Sequence, residues 1–96
     1  MKCLEVVIYE VKANRNREFL EVYAWIRKEM GMLPGFVSAE TLQSLDQSHL
    51  YADLWVWESA GHAMSAHAQF ASLPHAREFQ NVVEKVVHSG HYVPFL

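Results

Sequence analysis

The alternation of apolar and polar positions predicts four strands along the chain. Residues 3–11 are β-branched and apolar, interrupted by glutamates, which is typical of a strand mostly buried on both faces. Residues 36–44 and 51–57 form a second and a third strand, and residues 45–48 are the predicted turn between them. Residues 91–96 are expected to add a short fourth strand.

A first helix is predicted to follow Asn14 and to run to about Met30. Asn14 is a candidate cap, because its side-chain oxygen can accept an unpaired backbone N–H. Gly31 lies just past the end and is expected in the left-handed conformation, which costs glycine least. Pro34-Gly35 then prevents any continuation. The apolar stripe of this helix consists of Phe19, Val22, Tyr23, Ile26 and Met30.

A second helical region is predicted to begin after Ser59, which can cap it. Pro74 interrupts the helical pattern, so we expect two pieces that meet near residues 73–74. Ser89-Gly90 is predicted to end the second piece. The first piece carries the stripe Ala60, Ala63, Met64, His67 and Ala71, and the second carries Ala76, Phe79, Val82, Val83 and Val86.

The order β-α-β-β-α-β predicts a single α+β domain over residues 1–96 with a ferredoxin-like arrangement. This arrangement is one four-stranded antiparallel sheet with its helices on one face. The first and third strands are apolar on both faces, so a monomer would leave a large apolar surface in water. We therefore predict a homodimer in which two sheets pack face to face, with Glu5, Asp53, Trp55 and Trp57 on the interface side. The alternative is a monomer in which the β2–β3 connection or the C-terminus folds over the sheet.

Composition and charge exclude several classes of protein. Eight basic against eleven acidic residues give a net charge of -3, which argues against nucleic-acid partners and against charge-driven membrane binding. The single cysteine, Cys3, excludes an internal disulfide framework. No apolar run approaches the ~20 residues of a membrane span, and no signal-peptide apolar region follows Met1. We therefore expect a cytoplasmic protein.

Short motifs in a fixed order run through essentially the whole chain. They are Glu5-Val6-Val7-Ile8-Tyr9, Phe19, Trp25, Leu33-Pro34-Gly35-Phe36, Val56-Trp57-Glu58-Ser59-Ala60, His67, and Leu73-Pro74-His75 followed by Phe79. In this order they resemble the antibiotic-biosynthesis-monooxygenase-like family of the dimeric α+β barrel superfamily. The resemblance implies a homodimer with a pocket between helices and sheet in each subunit. Members of this superfamily include cofactor-free oxygenases of aromatic phenols, haem-degrading proteins and lactone isomerases.

His67 is the candidate catalytic residue, because it lies on the apolar stripe of the second helical region. Its imidazole can take or give a proton near neutrality, as a base or substrate partner, or it can bind haem iron. The alternative is a core histidine that bonds a backbone carbonyl. Candidate substrate-binding residues are Tyr23, Trp55, Trp57 and His75. The two tryptophans could equally anchor the dimer interface, and His75 could simply begin a helix.

Other titratable residues lead to further expectations. Glu5 and Asp53 share one strand face, so if both are buried we expect them to be paired or to take up protons. They could act as an acid–base pair or bind each other at the interface. His88 is placed in the last helical turn, where a cation favours the helix dipole. The histidine spacings lack the zinc-helix motif and one cysteine cannot build a structural zinc site, so we expect no metal site. The resemblance to cofactor-free oxygenases implies that no cofactor is needed.

Three functions stay open at the level of sequence. The first is a cofactor-free monooxygenase of a small aromatic or quinol-type molecule, with His67 as the base. The second is haem binding or breakdown through His67 or His75. Haem-degrading relatives carry an asparagine on the first strand, whereas this chain has Val6, Val7 and Ile8 there. The third is a non-catalytic dimer that binds a small ligand, so the sequence leaves open whether the protein is an enzyme.

Overall fold

The computed structural model of the protein describes residues 1–96 and contains four strands and three helices. The antiparallel sheet has the strand order β2-β3-β1-β4, so the ferredoxin-like fold class is as predicted. The elements are β1 (Cys3–Val11), α1 (Asn16–Met30), β2 (Phe36–Gln43), β3 (Leu50–Trp57), α2 (Ala60–Gln69), a single 3-10 turn (Phe70–Ser72), α3 (Ala76–Val82) and β4 (Val83–Tyr92).

The last strand is longer and begins earlier than the sequence predicts. We expected the helix to continue past Val86 and a strand only over residues 91–96, but α3 ends at Val82 and β4 follows at once. Valines in this stretch satisfy a helical period, yet β-branched residues also favour strands. Pairing with β1 over residues 83–92 decides the outcome, because it supplies β1 with its second row of ladder hydrogen bonds. His88 therefore lies in a strand and not in a helical turn, so that expectation was wrong.

The helix ends correct two further predictions and confirm one. Asn14 does not cap α1: its φ of 64° turns the chain, and Arg15 occupies the cap position without a side-chain bond. Gly31 has a φ of -64°, so it continues the right-handed turn. Ser59 does cap α2, since its hydroxyl accepts the backbone N–H of His62 at 3.1 Å. No helix combines the length and apolar character that crossing a membrane requires.

The face of the sheet that we predicted for the dimer interface is the face that the helices cover. Glu5, Asp53, Trp55 and Trp57 lie under the helices, where the two tryptophans pack into the core, and not on an outer face. Alternation along a strand separates two apolar faces but does not say which one receives the helices. The other face of the two central strands is aliphatic and half-buried in the single chain. It comprises Leu4, Val6, Ile8, Ala52, Leu54 and Val56.

The turn before β2 explains why one motif needs glycine. Gly35 has a φ of 83°, and a Cβ there would lie 2.3 Å from the ring of His62. Its carbonyl accepts the backbone N–H of Glu58 at 2.8 Å. Pro34-Gly35 thus brings the start of β2 against the start of α2, which closes one end of the helix layer over the sheet.

Candidate functional site

A cavity of about 670 Å³ lies between the helices and the sheet. Its wall is mostly apolar and aromatic, with a few titratable groups among them, which is typical of a small-molecule site. Side chains on the helix-facing side of the strands line the cavity. The end of α2 and the start of the segments that follow close it. The lining side chains discussed below are Glu5, Val7, Tyr9, Asp53, Trp55, His67, Phe70, Phe79 and Val83.

His67 and Glu5 form a direct contact at the wall of this cavity. The His67 Nδ1 lies 3.0 Å from Glu5 Oε2, although the two residues are far apart in sequence. Glu5 is only 3% exposed, whereas the His67 side chain is 58% exposed. The partner of His67 is therefore a buried carboxylate and not the backbone carbonyl of the alternative interpretation. A carboxylate that accepts from Nδ1–H orients the ring and leaves Nε2 as the proton acceptor.

Asp53 is the centre of a second polar group in the cavity. Its Oδ1 accepts hydrogen bonds from the Tyr9 hydroxyl at 3.0 Å and from the Thr41 hydroxyl at 2.8 Å. Because Thr41 gives its only hydroxyl proton to Asp53, the Tyr23 hydroxyl must donate to Thr41 Oγ1. The result is a chain of hydroxyls that ends on one carboxyl group.

Burial governs how this second group titrates. Asp53 is 4% exposed, and desolvation raises its pKa to about 6 against the opposing hydrogen bonds from Thr41 and Tyr9. Burial, together with the negative charge of Asp53, raises the pKa of Tyr23 to about 12 and also raises the pKa of Tyr9. Both tyrosines therefore stay protonated donors near neutral pH, while Asp53 changes its charge there.

Glu5 and Asp53 are not partners of each other. The sequence suggested a carboxylate pair, for acid–base work or at the interface. In the structure both lie on the helix side, and each carboxylate has its own partners. The role of Thr41 was missed, because a strand threonine carries no distinguishing signal until the register places it opposite Asp53.

Only one of the four predicted substrate-binding side chains lines the cavity. That residue is Trp55, which belongs to the cavity wall and to the core. Trp57 is fully buried and packs edge-on against Phe36 at 5.8 Å, outside the cavity lining. Tyr23 is half-buried and reaches the site only through Thr41.

His75 joins two helices and does not line the cavity. Its backbone N–H donates to Glu29 Oε1 at 3.2 Å, and its Nδ1 contacts Glu29 Oε2. Its ring also stacks on Trp25, with centroids 4.9 Å apart and planes 8° apart. His75 therefore fixes the start of α3 against α1.

His91 belongs to the site, although the sequence predicted it only as the first residue of a short fourth strand. The β1–β4 register sets it directly opposite Glu5, with its Nε2 3.5 Å from Glu5 Oε2. Its ring meets the ring of His67 edge-on at 5.6 Å. The sequence could not place His91 next to Glu5, because the predicted fourth strand began only at His91 and its register against β1 was unknown.

Comparisons with known proteins agree with this architecture. Residues 4–82 match the family described as antibiotic biosynthesis monooxygenase. SnoaB, a cofactor-independent oxygenase from Streptomyces nogalater, superposes with a TM-score of 0.84 at 24% identity over 99% of this chain and 94% of its own. A Bordetella bronchiseptica protein that bears the family's name gives 0.83 at 18% identity, over 99% and 98%. MupZ from Pseudomonas fluorescens gives 0.81 at 14% identity, over 98% and 73%. At these identities the solved structures establish the fold alone. No curated protein matches the sequence significantly.

Proposed function

Because the chain belongs to the antibiotic biosynthesis monooxygenase family, we propose that it is a cofactor-independent oxygenase of a small aromatic phenol or quinol. The observation that carries the proposal is the His67–Glu5 pair at the wall of an apolar cavity of about 670 Å³. SnoaB, whose fold this chain shares, is described as a cofactor-independent oxygenase. A cavity of this size accommodates a molecule of a few fused rings.

The aromatic lining suits a flat, apolar substrate. Trp55, Phe70 and Phe79 all contribute to the wall, and their rings can stack on or meet the edges of an aromatic ligand. An apolar wall also offers few groups that could hold water or donate a proton to a reactive carbanion-like intermediate. The few polar groups then decide how the substrate is oriented.

His67 is the proposed general base. Glu5 accepts the Nδ1 proton, which directs the basic lone pair to Nε2, and Nε2 takes the proton of the substrate hydroxyl. The resulting phenolate is rich in electrons and reduces dioxygen directly, without another reductant. One oxygen atom forms a bond to a ring carbon, the O–O bond breaks, and the other oxygen atom leaves as water with the two hydrogens that the substrate loses on becoming a quinone. A positioned base of this kind contributes about 10²–10⁴-fold to the rate.

Asp53 is the proposed second proton-handling group. Its pKa of about 6 lets both protonation states occur near neutral pH, and the group lines the same cavity. When protonated, it can donate a hydrogen bond to an oxygen on which negative charge develops. Tyr9 and Thr41 hold the carboxyl group in place for this role.

Fewer candidate haem ligands lie at the cavity than the sequence suggested. His75 contacts Glu29 and Trp25 and lies outside the cavity lining, so His67 remains as the axial candidate. The non-catalytic alternative predicts binding of the same aromatic ligands without oxygen uptake. We favour the oxygenase because a buried carboxylate that orients an accessible imidazole is an arrangement for proton transfer.

We also propose that two chains pair through the aliphatic face of the sheet. Leu45 of the β2–β3 turn is 99% exposed and Phe95 near the C-terminus is 86% exposed, so neither segment packs over this face. A second copy would bury it by an isologous contact, the usual geometry of a two-fold dimer. The cavity lies on the opposite face and remains accessible in such a dimer.

Oxygen uptake tests the proposed function. A panel of hydroxylated anthrones and naphthoquinols is incubated with protein, and uptake is corrected for spontaneous oxidation. Wild type should turn over at least one compound, and His67→Ala should lose about 10²–10⁴-fold in kcat. His49→Ala, on the exposed β2–β3 turn, is the matched control and should retain the wild-type rate. Equal turnover by His67→Ala would refute the assignment of the base, and binding without uptake would favour the non-catalytic alternative.

A further inference from the structure

We propose that Glu5, His67 and His91 bind one divalent first-row transition-metal ion. Each of the three residues offers one ligand atom, a carboxylate oxygen or an imidazole nitrogen, and these atoms all lie within 4.8 Å of one another. Two imidazoles and one carboxylate are the ligands of many zinc sites and of non-haem iron sites. Each of these side chains comes from a different element, so the spacing in the sequence does not reveal the site.

The distances approach those that an ion would impose. Two ligand atoms about 2.1 Å from a tetrahedral ion lie roughly 3.4 Å apart. The two separations from Glu5 Oε2 are 3.0 Å to His67 and 3.5 Å to His91. The remaining separation, between the two imidazoles, can close by rotation of His67, because that side chain is largely exposed.

Two buried polar atoms in this cluster have no hydrogen-bond partner. They are Glu5 Oε1 and His91 Nε2, and Glu5 as a whole is almost completely buried. Orphaned polar atoms are uncommon in folded proteins, and each calls for an explanation such as a water or an ion. An ion ligated by His91 Nε2 would satisfy that atom, and bidentate ligation by the Glu5 carboxylate would also satisfy Oε1.

The scaffold holds the ligands on regular elements. Glu5 and His91 are register partners on β1 and β4, and the last turn of α2 supplies His67. Glu5 and His67 also line the cavity, so coordination positions left free by the protein would face it. The ion would bind His67 Nδ1, the atom that otherwise contacts Glu5. His67 therefore cannot bind the metal and act as the base oriented by Glu5 at the same time. The metal site rests on this geometry and not on the proposed oxygenase activity.

Calorimetric titration with Zn²⁺ tests the site directly. Tag-free protein is treated with EDTA, dialysed and titrated with zinc chloride. We expect one ion per chain, and His91→Ala and His67→Ala should each weaken binding at least roughly tenfold, since even outer-shell partners matter by that factor. His49→Ala is the matched control for histidine removal and should bind as wild type does.

Several results would overturn the proposal. They are the absence of binding to wild type, wild-type affinity in His91→Ala, or loss of binding in His49→Ala. Circular dichroism in EDTA checks that each variant is folded. If His91→Ala is unfolded, the exposed His67→Ala and the shape-preserving Glu5→Gln decide the question by the same titration. Because binding is read without substrate, failure here and failure of the oxygenase proposal are separable.

Discussion

The two faces of the central strands β1 and β3 carry different chemistry although both are apolar. The face under the helices holds aromatic side chains together with Glu5 and Asp53. The other face is aliphatic over its central positions, such as Val6 and Leu54, and carries a charged residue only at Glu10 near the end of β1. Buried carboxylates are costly without partners, so they occur where hydroxyls and imidazoles can meet them. The helix side therefore carries the groups that we propose bind a ligand, and the aliphatic side is the face that we propose for a second subunit.

The largest effect is expected from a charge on the aliphatic face. In Leu54→Asp, the two-fold contact would bury two carboxylates without partners, which is strongly unfavourable. We expect the dimer dissociation constant to rise by roughly 1000-fold, about 4 kcal/mol, while the monomer stays folded. Light scattering coupled to size exclusion measures this change. Leu20→Asp, on the exposed side of α1, is the matched control and should stay dimeric. A wild type that is monomeric at micromolar concentration would contradict the assigned interface.

The second-largest effect concerns the face under the helices and is a dependence of the free energy of unfolding on pH. Folding raises the pKa of Asp53 from 3.8 to about 6, so the folded protein holds this proton more tightly than the unfolded chain does. The stability that the proton contributes is present below about pH 4 and is lost as the pH rises through 6. A shift of about two pKa units corresponds to roughly 3 kcal/mol.

Asp53→Asn provides the measurement, because its amide oxygen can still accept from Tyr9 and Thr41. Urea unfolding of both proteins is compared at several pH values between 4 and 7. Wild type should lose roughly 2.5 kcal/mol relative to the variant over this range. A difference that does not change with pH would mean that Asp53 is not desolvated in the folded protein.

The smallest effect is expected from removing a side chain that fixes the start of α3 against α1. His75→Ala removes an imidazole that contacts Glu29, but it touches neither the cavity nor the aliphatic face. We expect a loss of roughly 1–3 kcal/mol in stability, with unchanged ligand affinity and unchanged dimerisation. Chemical unfolding and a ligand titration measure the two quantities. A large loss of ligand affinity at unchanged stability would instead assign His75 to the binding site.

The sequence predicts most of the fold because strong local signals agree with it. The bounds of β1, the cap at Ser59 and the break near Pro74 all follow from periodicity and turn chemistry. The start of β4 could not be predicted, because the valines around Val83 fit a helix and a strand equally well. Long-range pairing with β1 settles that choice, and no local pattern reports it.

The site was predictable only in part, for the same reason. His67 could be named from its helical stripe, but its partner Glu5 lies at the other end of the chain. The face of Glu5 and Asp53 followed from alternation, whereas which face meets the helices depends on packing. His91 joined the site only once the register of β4 was known.

A methyl NMR titration tests the division between the two faces most directly. Val6 and Val7 are neighbours on β1, yet Val7 lines the cavity and Val6 lies on the aliphatic face. On addition of a dihydroxyanthraquinone, a stable aromatic analogue, the methyl signals of Val7 and Val83 should shift and those of Val6 should not. Shifts at Val6 and Leu54 with none at Val7 would contradict the account, because the ligand would then bind the face assigned to the second subunit.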